Sequence, residues 1–215
     1  MFRVEEGIVM IKSRNIACFS LAAVSGFWIS INAASAEEYL VNDKAAYAEA
    51  LMKVAPGDTI KLANGTWTDF EILFTGKGED GNPIQLTAET KGKVILSGQS
   101  NLRLAGEYLE VSGLVFKDGF TPTSEVISFR QNTNNLANNS RITEVVIDNY
   151  NQPERQEVDF WVMMYGKNNR FDHNHIVGKR NKGVTMAVRL NTEESQENHH
   201  RIDCLLYTSP SPRDS

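Results

Sequence analysis

Three tripeptides, Arg141-Ile142-Thr143, Arg170-Phe171-Asp172 and Arg201-Ile202-Asp203, recur at lags of 29 and 31 residues, and no other feature of the chain restricts its fold as strongly. A period of that length marks a supersecondary unit that buries its apolar face only by stacking on its neighbours. Each occurrence opens a β-rich stretch, and Leu109 of "YLEVSGLVF", 33 residues before Ile142, is read as an earlier member of the series. The units contain no helical pattern, which argues against helical solenoids and leucine-rich repeats. A coil of a parallel β-helix, with three short strands per turn, fits the period. A β-sandwich is the competing reading, because its strands are also short and glycine-punctuated. The β-helix predicts that Tyr108 to Asp203 forms stacked coils with Ile142, Phe171 and Ile202 in one column.

The rest of the chain agrees with an all-β fold. "GDTIKLANGTW", "PIQLTAE", "KVILSGQ", "EVVIDNY" and "WVMMYG" are rich in β-branched, aromatic and leucine positions, with Gly, Asn, Asp and Pro between them. One helical pattern stands out, "NDKAAYAEALMKVAPGD", stopped by Pro56-Gly57. A single helix ahead of a series of strands reads as a cap on the solenoid's amino end.

Residues 1–36 are read apart from the fold. "MIKSRNIACFSLAAVSGFWISINAASA" has the form of a secretory leader, with Lys12 and Arg14 ahead of an apolar run and Ala34-Ser35-Ala36 as a cleavage site. Glu5 and Glu6 sit where such a leader carries positive charge, so Met10 is read as the start and residues 1–9 as an over-extended frame. An uncleaved anchor competes with this reading, but the apolar run is short for a span. The two cysteines are Cys18, inside the leader, and Cys204, so the body between them has no disulfide. Export without disulfides points to a bacterial periplasm or medium.

"RFDHNHIVGK", residues 170–179, places two histidines two apart. On one strand His173 and His175 would share a face, as a metal clip requires, but no third ligand is evident. The plainer reading is a set of polar coil positions, Asn149 and Asn174 among them, whose side chains pair with neighbouring coils. No metal site is assigned to them.

The stretch "NGTWTDFEILFTGKGEDGNPIQLTAETKGKVILSGQSNLRLAGEYLEVSGLVFKDG", followed by "WVMMYGKNNRFDHNHIVGKRNKGVTMAVRLN" and "NHHRID", resembles the amino-terminal part of polysaccharide lyase family six, the alginate lyase and chondroitinase B group. The resemblance runs from about Glu38 to Asp203. It implies a right-handed parallel β-helix that cleaves acidic polysaccharides by β-elimination. It also implies a calcium ion, held by an asparagine and two glutamates, that neutralises the uronate carboxylate while a lysine takes the C5 proton and an arginine assists. Calcium suits such oxygen ligands. The resemblance places all of these after the "HHRID" segment, so no catalytic residue or metal ligand is assigned within the chain. "CLLYTSPSPRDS", residues 204–215, is turn-like in composition and is expected to be an unstructured, foreign tail on a truncated solenoid. The domain expectation is therefore 37–203, and the chain by itself is expected to be inactive.

With a net charge of −5, binding of a polyanion must come from local basic clusters. Lys167, Arg170, Lys179, Arg180, Lys182 and Arg189 form one such run. Lys179, Lys182 and Arg189 are taken as groove-lining, substrate-binding residues, against the alternative that they are solvated surface charge. The expected partner is an acidic polysaccharide, alginate before dermatan sulfate, with no nucleic acid and, after leader cleavage, no membrane. Two function classes stay open: a secreted lyase, and a non-catalytic carbohydrate-binding or adhesin-like β-helix on the same scaffold.

Overall fold

The computed structural model describes residues 36–190 and 197–208. Residues 1–35, which hold all but the last position of the expected leader, and residues 209–215 of the expected tail lie outside the described residues.

The described residues wind into a parallel β-solenoid of about five turns and include one short helix. β1 (Glu38–Val41) and helix α1 (Lys44–Leu51) form the amino end. The first coil holds β2 (Thr59–Leu62), β3 (Gly65–Thr68) and β4 (Glu71–Lys77), and the second β5 (Ile84–Ala88), β6 (Val94–Gln99) and β7 (Asn101–Glu107). The third holds β8 (Leu109–Ser112), β9 (Leu114–Phe120), β10 (Glu125–Ser128) and the two-residue β11 (Ala137–Asn138). The fourth holds β12 (Arg141–Thr143), β13 (Val146–Asp148) and β14 (Phe160–Met164). The fifth holds β15 (Arg170–Asp172), β16 (His175–Val177) and β17 (Met186–Val188), and beyond it lie β18 (Arg201–Asp203) and β19 (Leu206–Thr208). Equivalent strands stack into three parallel sheets: the first runs β1-β2-β5-β8-β12-β15-β18, the second β3-β6-β9-β13-β16-β19, and the third follows β4, β7, β10, β14 and β17.

Registry of apolar positions builds the core. In the first sheet Ile60, Leu86, Val111, Ile142, Phe171 and Ile202 stand in one column. Trp67, Leu96, Phe116, Ile147, Ile176 and Tyr207 form another in the second sheet. The tripeptides thus align as their recurrence required. The earlier member of the series is Val111, not Leu109: Ile142 pairs with Val111, and Leu109 pairs with Ile84 two residues away. Apolar residues on one strand repeat every second position, so a sequence comparison slips by two without penalty.

At the amino end Asp43 caps α1, accepting from the Ala46 amide at 2.8 Å. Tyr47 and Ala50 are buried, and the Tyr47 ring meets Phe70 edge-on at 5.3 Å. The helix ends at Leu51, five residues before the Pro56-Gly57 stop, so it covers the end of the apolar column with two turns only.

Corners carry the polar side chains. His173 has φ 55°, as do its equivalents Glu144 and Cys204 at 56° and 51°, so it turns the chain between β15 and β16. The two histidines therefore do not share a strand face. Asn174 points inward from the same corner, accepting from the Val145 amide at 2.8 Å and donating to the Ile142 carbonyl at 3.1 Å. At another corner Ser140 accepts from Leu109, Asn169 from Ser140 and the His200 ring from Asn169, at 3.2, 2.9 and 3.2 Å. Asn174 thus pairs with the neighbouring coil as expected. Asn149 instead donates to Asp148, and an amide-to-amide pair forms at Asn139 and Asn168, 3.0 Å apart.

Outside the first sheet the recurring arginines become a ladder. Asp172, fully buried, accepts from Arg141 at 2.8 and 2.7 Å, lies 3.1 Å from Arg170 and touches the His173 ring. Arg170 and Arg201 reach on to Asp203. Hydrogen bonds from Arg141, then from His173, hold the Asp172 carboxyl at about 2, below the usual range, against the opposing effect of burial. A carboxyl depressed in the folded state stabilises it above the unfolded pKa, and that contribution is lost as pH falls towards 2. Asp172→Asn is expected to cost about 2 kcal/mol at neutral pH, because its arginine partners are one-third exposed and partly screened. Urea unfolding at several pH values checks this: the gap between the two proteins should close in acid.

The expectation of an unstructured tail fails for residues 204–208. Leu206, Tyr207 and Thr208 pair in register with His175, Ile176 and Val177. The open edge of β16 supplies backbone donors and acceptors to any extended segment that follows its corner.

Candidate functional site

Two adjoining clefts run along the edge where the third sheet turns into the first. One, of ≈ 350 Å³, is lined by Glu107, Asn138, Asn139, Lys167, Asn168 and Arg189, among others. The second shares Glu107, Leu136 and Asn138 with it and continues over Thr75, Ala105, Gln131, Asn134 and Asn135. Local folding explains this carboxamide-rich lining. Asn139 and Asn168 occupy left-handed corner positions, φ 50° and 55°, which asparagine tolerates better than most residues. Asn138 accepts from the Lys167 amide at 2.9 Å. The clefts thus present amides, which suit sugar hydroxyls, beside two cations, which suit carboxylates.

Next to the clefts, joined to them through the backbone bridge of Arg130 to Leu136, stands a cluster drawn from two coils. Glu125 Oε1 accepts from Arg130 at 3.1 Å and from the Tyr165 hydroxyl at 2.8 Å, while the Arg130 guanidinium lies 3.8 Å from the Tyr165 ring centroid. Burial, then the Glu125 hydrogen bond, pushes the Tyr165 hydroxyl up to about 12 although Arg130 and Arg189 oppose it, so it remains a donor at neutral pH. Arg189 itself reaches over the Phe160 ring, 5.5 Å from its centroid.

The three residues taken from the sequence as groove-lining separate here. Arg189 lines the first cleft, and Lys167 of the same basic run joins it. Lys182 is exposed on the segment leading to β17 and lines neither cleft. Lys179 is buried: its ammonium contacts Asp159, is 3.2 Å from Asn181 Oδ1 and lies 5.5 Å from the Trp161 ring centroid. Asn181 in turn donates to Asp159 Oδ1 at 2.8 Å. Gly183, φ 104°, lies against the same segment, where a Cβ would fall 1.9 Å from the Asp159 carbonyl oxygen. Lys179 is thus a structural tie between the segments that precede β14 and β17, and its charge is not offered to a ligand. Sequence reasoning missed Arg130, Tyr165 and Glu125, which give no local signal because 40 residues separate Glu125 from Tyr165.

Calcium finds no fitting set among the described residues. No three histidine, cysteine, aspartate or glutamate side chains gather at a common point. Asp172 and Asp203 are held by arginines, and Glu125 by Arg130 and Tyr165.

Comparison with known proteins places this geometry in a family. The family model for chondroitinase B matches residues 41–215. The solved structure of the alginate lyase AlyGC, of polysaccharide lyase family 6, is 67% identical over 77% of this chain, with a TM-score of 0.76. A mannuronic acid specific family 6 lyase from human gut microbiota is 34% identical over 78% of the chain, with a TM-score of 0.72. The family 6 lyase Pedsa3628 from Pseudopedobacter saltans is 27% identical over 80%, with a TM-score of 0.68. The chain spans 23%, 40% and 39% of those three structures. No curated protein matches. With the family model matched over residues 41–215 and more than three-quarters of its length aligned to these structures, the chain belongs to the chondroitinase B group of polysaccharide lyases, family 6.

Proposed function

We propose that the protein is a secreted lyase that acts on alginate, and that the residues described here contribute substrate binding. The observation that carries this reading is the 67% identity to an alginate lyase over 77% of the chain. The clefts support it. Lys167 and Arg189 are cations for uronate carboxylates, and Asn138, Asn139 and Asn168 are amides for sugar hydroxyls.

In β-elimination on a uronate, the C5 proton leaves to a base and the C4–O bond breaks, giving an unsaturated sugar. Charge accumulates on the carboxylate as the proton leaves, so a cation must neutralise it. The whole enzyme would use calcium for this, bound by residues other than those described here. Binding without elimination is therefore expected of the chain by itself.

The test is titration of the purified chain with polymannuronate, polyguluronate and dermatan sulfate, following both heat and the ultraviolet absorbance of the new double bond. Saturable binding of the two alginate polymers, weakening with salt, is expected. Arg189→Ala and Lys167→Ala should each weaken it roughly tenfold, the worth of one charged hydrogen bond. Preference for dermatan sulfate would reverse the substrate, and absence of any polyuronate binding would overturn the reading.

A further inference from the structure

The Glu125, Arg130 and Tyr165 cluster has the form of an anion site with an anion already in it. A guanidinium stacked on a tyrosine is held flat and presents its remaining donor edge in a fixed plane, the arrangement suited to a planar carboxylate. One oxygen of Glu125 takes both available donors, Arg130 at 3.1 Å and Tyr165 at 2.8 Å. The side chains of Glu125 and Arg130 keep 12% and 28% of their exposure, so the pair is open to exchange with a ligand in a way that Lys179 and Asp159 are not. Its position is also suited to this. The cluster borders both clefts: Arg130 pairs through its backbone with Leu136, which lines both, and Tyr165 precedes Gly166 of the first and feels the charge of Arg189 there.

We propose that Arg130 and Tyr165 form a uronate-carboxylate subsite, and that Glu125 is a built-in placeholder which a bound acidic sugar displaces. The inference rests on the acidic-polysaccharide reading above. Displacement exchanges one carboxylate for another on the same donors, so the donors lose little while the released Glu125 must turn away from the incoming charge. The placeholder therefore lowers affinity for every uronate equally and excludes neutral sugars, which cannot replace the charge on Arg130.

Titration of the full chain with oligomannuronate, oligoguluronate and an uncharged gluco-oligosaccharide tests the inference on wild type, Glu125→Gln, Arg130→Lys and Arg189→Ala. Glu125→Gln keeps the shape and removes the competing charge, so it should bind acidic oligomers roughly three- to tenfold more tightly. Arg130→Lys keeps the charge and loses the stacked fork, so it should bind several-fold more weakly at a protein concentration and temperature where its urea unfolding curve shows it fully folded. If Glu125→Gln weakens binding as Arg130→Lys does, Glu125 is a structural or ligand-contacting group and the placeholder is overturned, while the Arg189→Ala result still judges the cleft. Acidic oligomers bound by Glu125→Gln and not by wild type would uphold it. Should no variant bind them, this inference and the cleft reading both fall.

Discussion

Lys179→Met should destabilise the solenoid by about 3–5 kcal/mol, the usual cost of leaving a buried charge without its partner. The side chains of Lys179 and Asp159 are 4% and 0% exposed; Lys179 holds Oδ1 of the carboxylate, and Oδ2 has no hydrogen-bond partner among the described residues. Only Asn181 would remain to hold the carboxylate, through Oδ1. Adding Asp159→Asn removes the stranded charge, so the double variant should recover much of the loss, and together with Asp159→Asn alone the cycle measures the coupling. Urea unfolding of the three variants checks this. A single variant within about 1 kcal/mol of wild type would mean that water reaches the pair. A second consequence follows for the cleft: the pair ties down the segment leading to β17, so Lys179→Met should also loosen Arg189.

Phe171→Ala should cost a similar amount, about 3–5 kcal/mol, for a different reason. Phe171 is fully buried and sits in register between Ile142 and Ile202. Its removal leaves a void in a column whose coils are pinned by strand pairing on both sides and cannot collapse to fill it. Ile202→Ala, one coil on, should cost clearly less, because Ile202 is 41% exposed. Thermal or urea unfolding of the two variants, measured together, tests the column directly. Equal losses would contradict the burial difference between the two coils.

What the sequence determined by itself is whatever the winding repeats. Between the first and second sheets the corner has two residues in each of the last three coils, at 144–145, 173–174 and 204–205. A constant corner fixes the offset between the first two strands of each coil, and the coil length stays near thirty, 29 and 31 residues between Arg141, Arg170 and Arg201, so the period, the apolar column and the family were legible before any coordinates. The same constancy carried β19 into register, which composition of the tail had argued against. Between the second and third sheets the connections differ, with residues 121–124, 149–159 and 178–185 in successive coils. Unequal connections give the side chains on and around them no fixed offset from coil to coil, so no spacing could announce that Lys179 meets Asp159 or that Tyr165 meets Glu125. Lys179 looked like a groove cation because charge is readable in sequence and burial is not. Its fate was decided by a segment that folds back over Trp161, where a lysine is stable only with a carboxylate at hand. The candidate site was legible only in part, through Arg189. The rest of it is made where side chains from different coils meet across connections of unequal length, and only the tertiary structure sets those meetings.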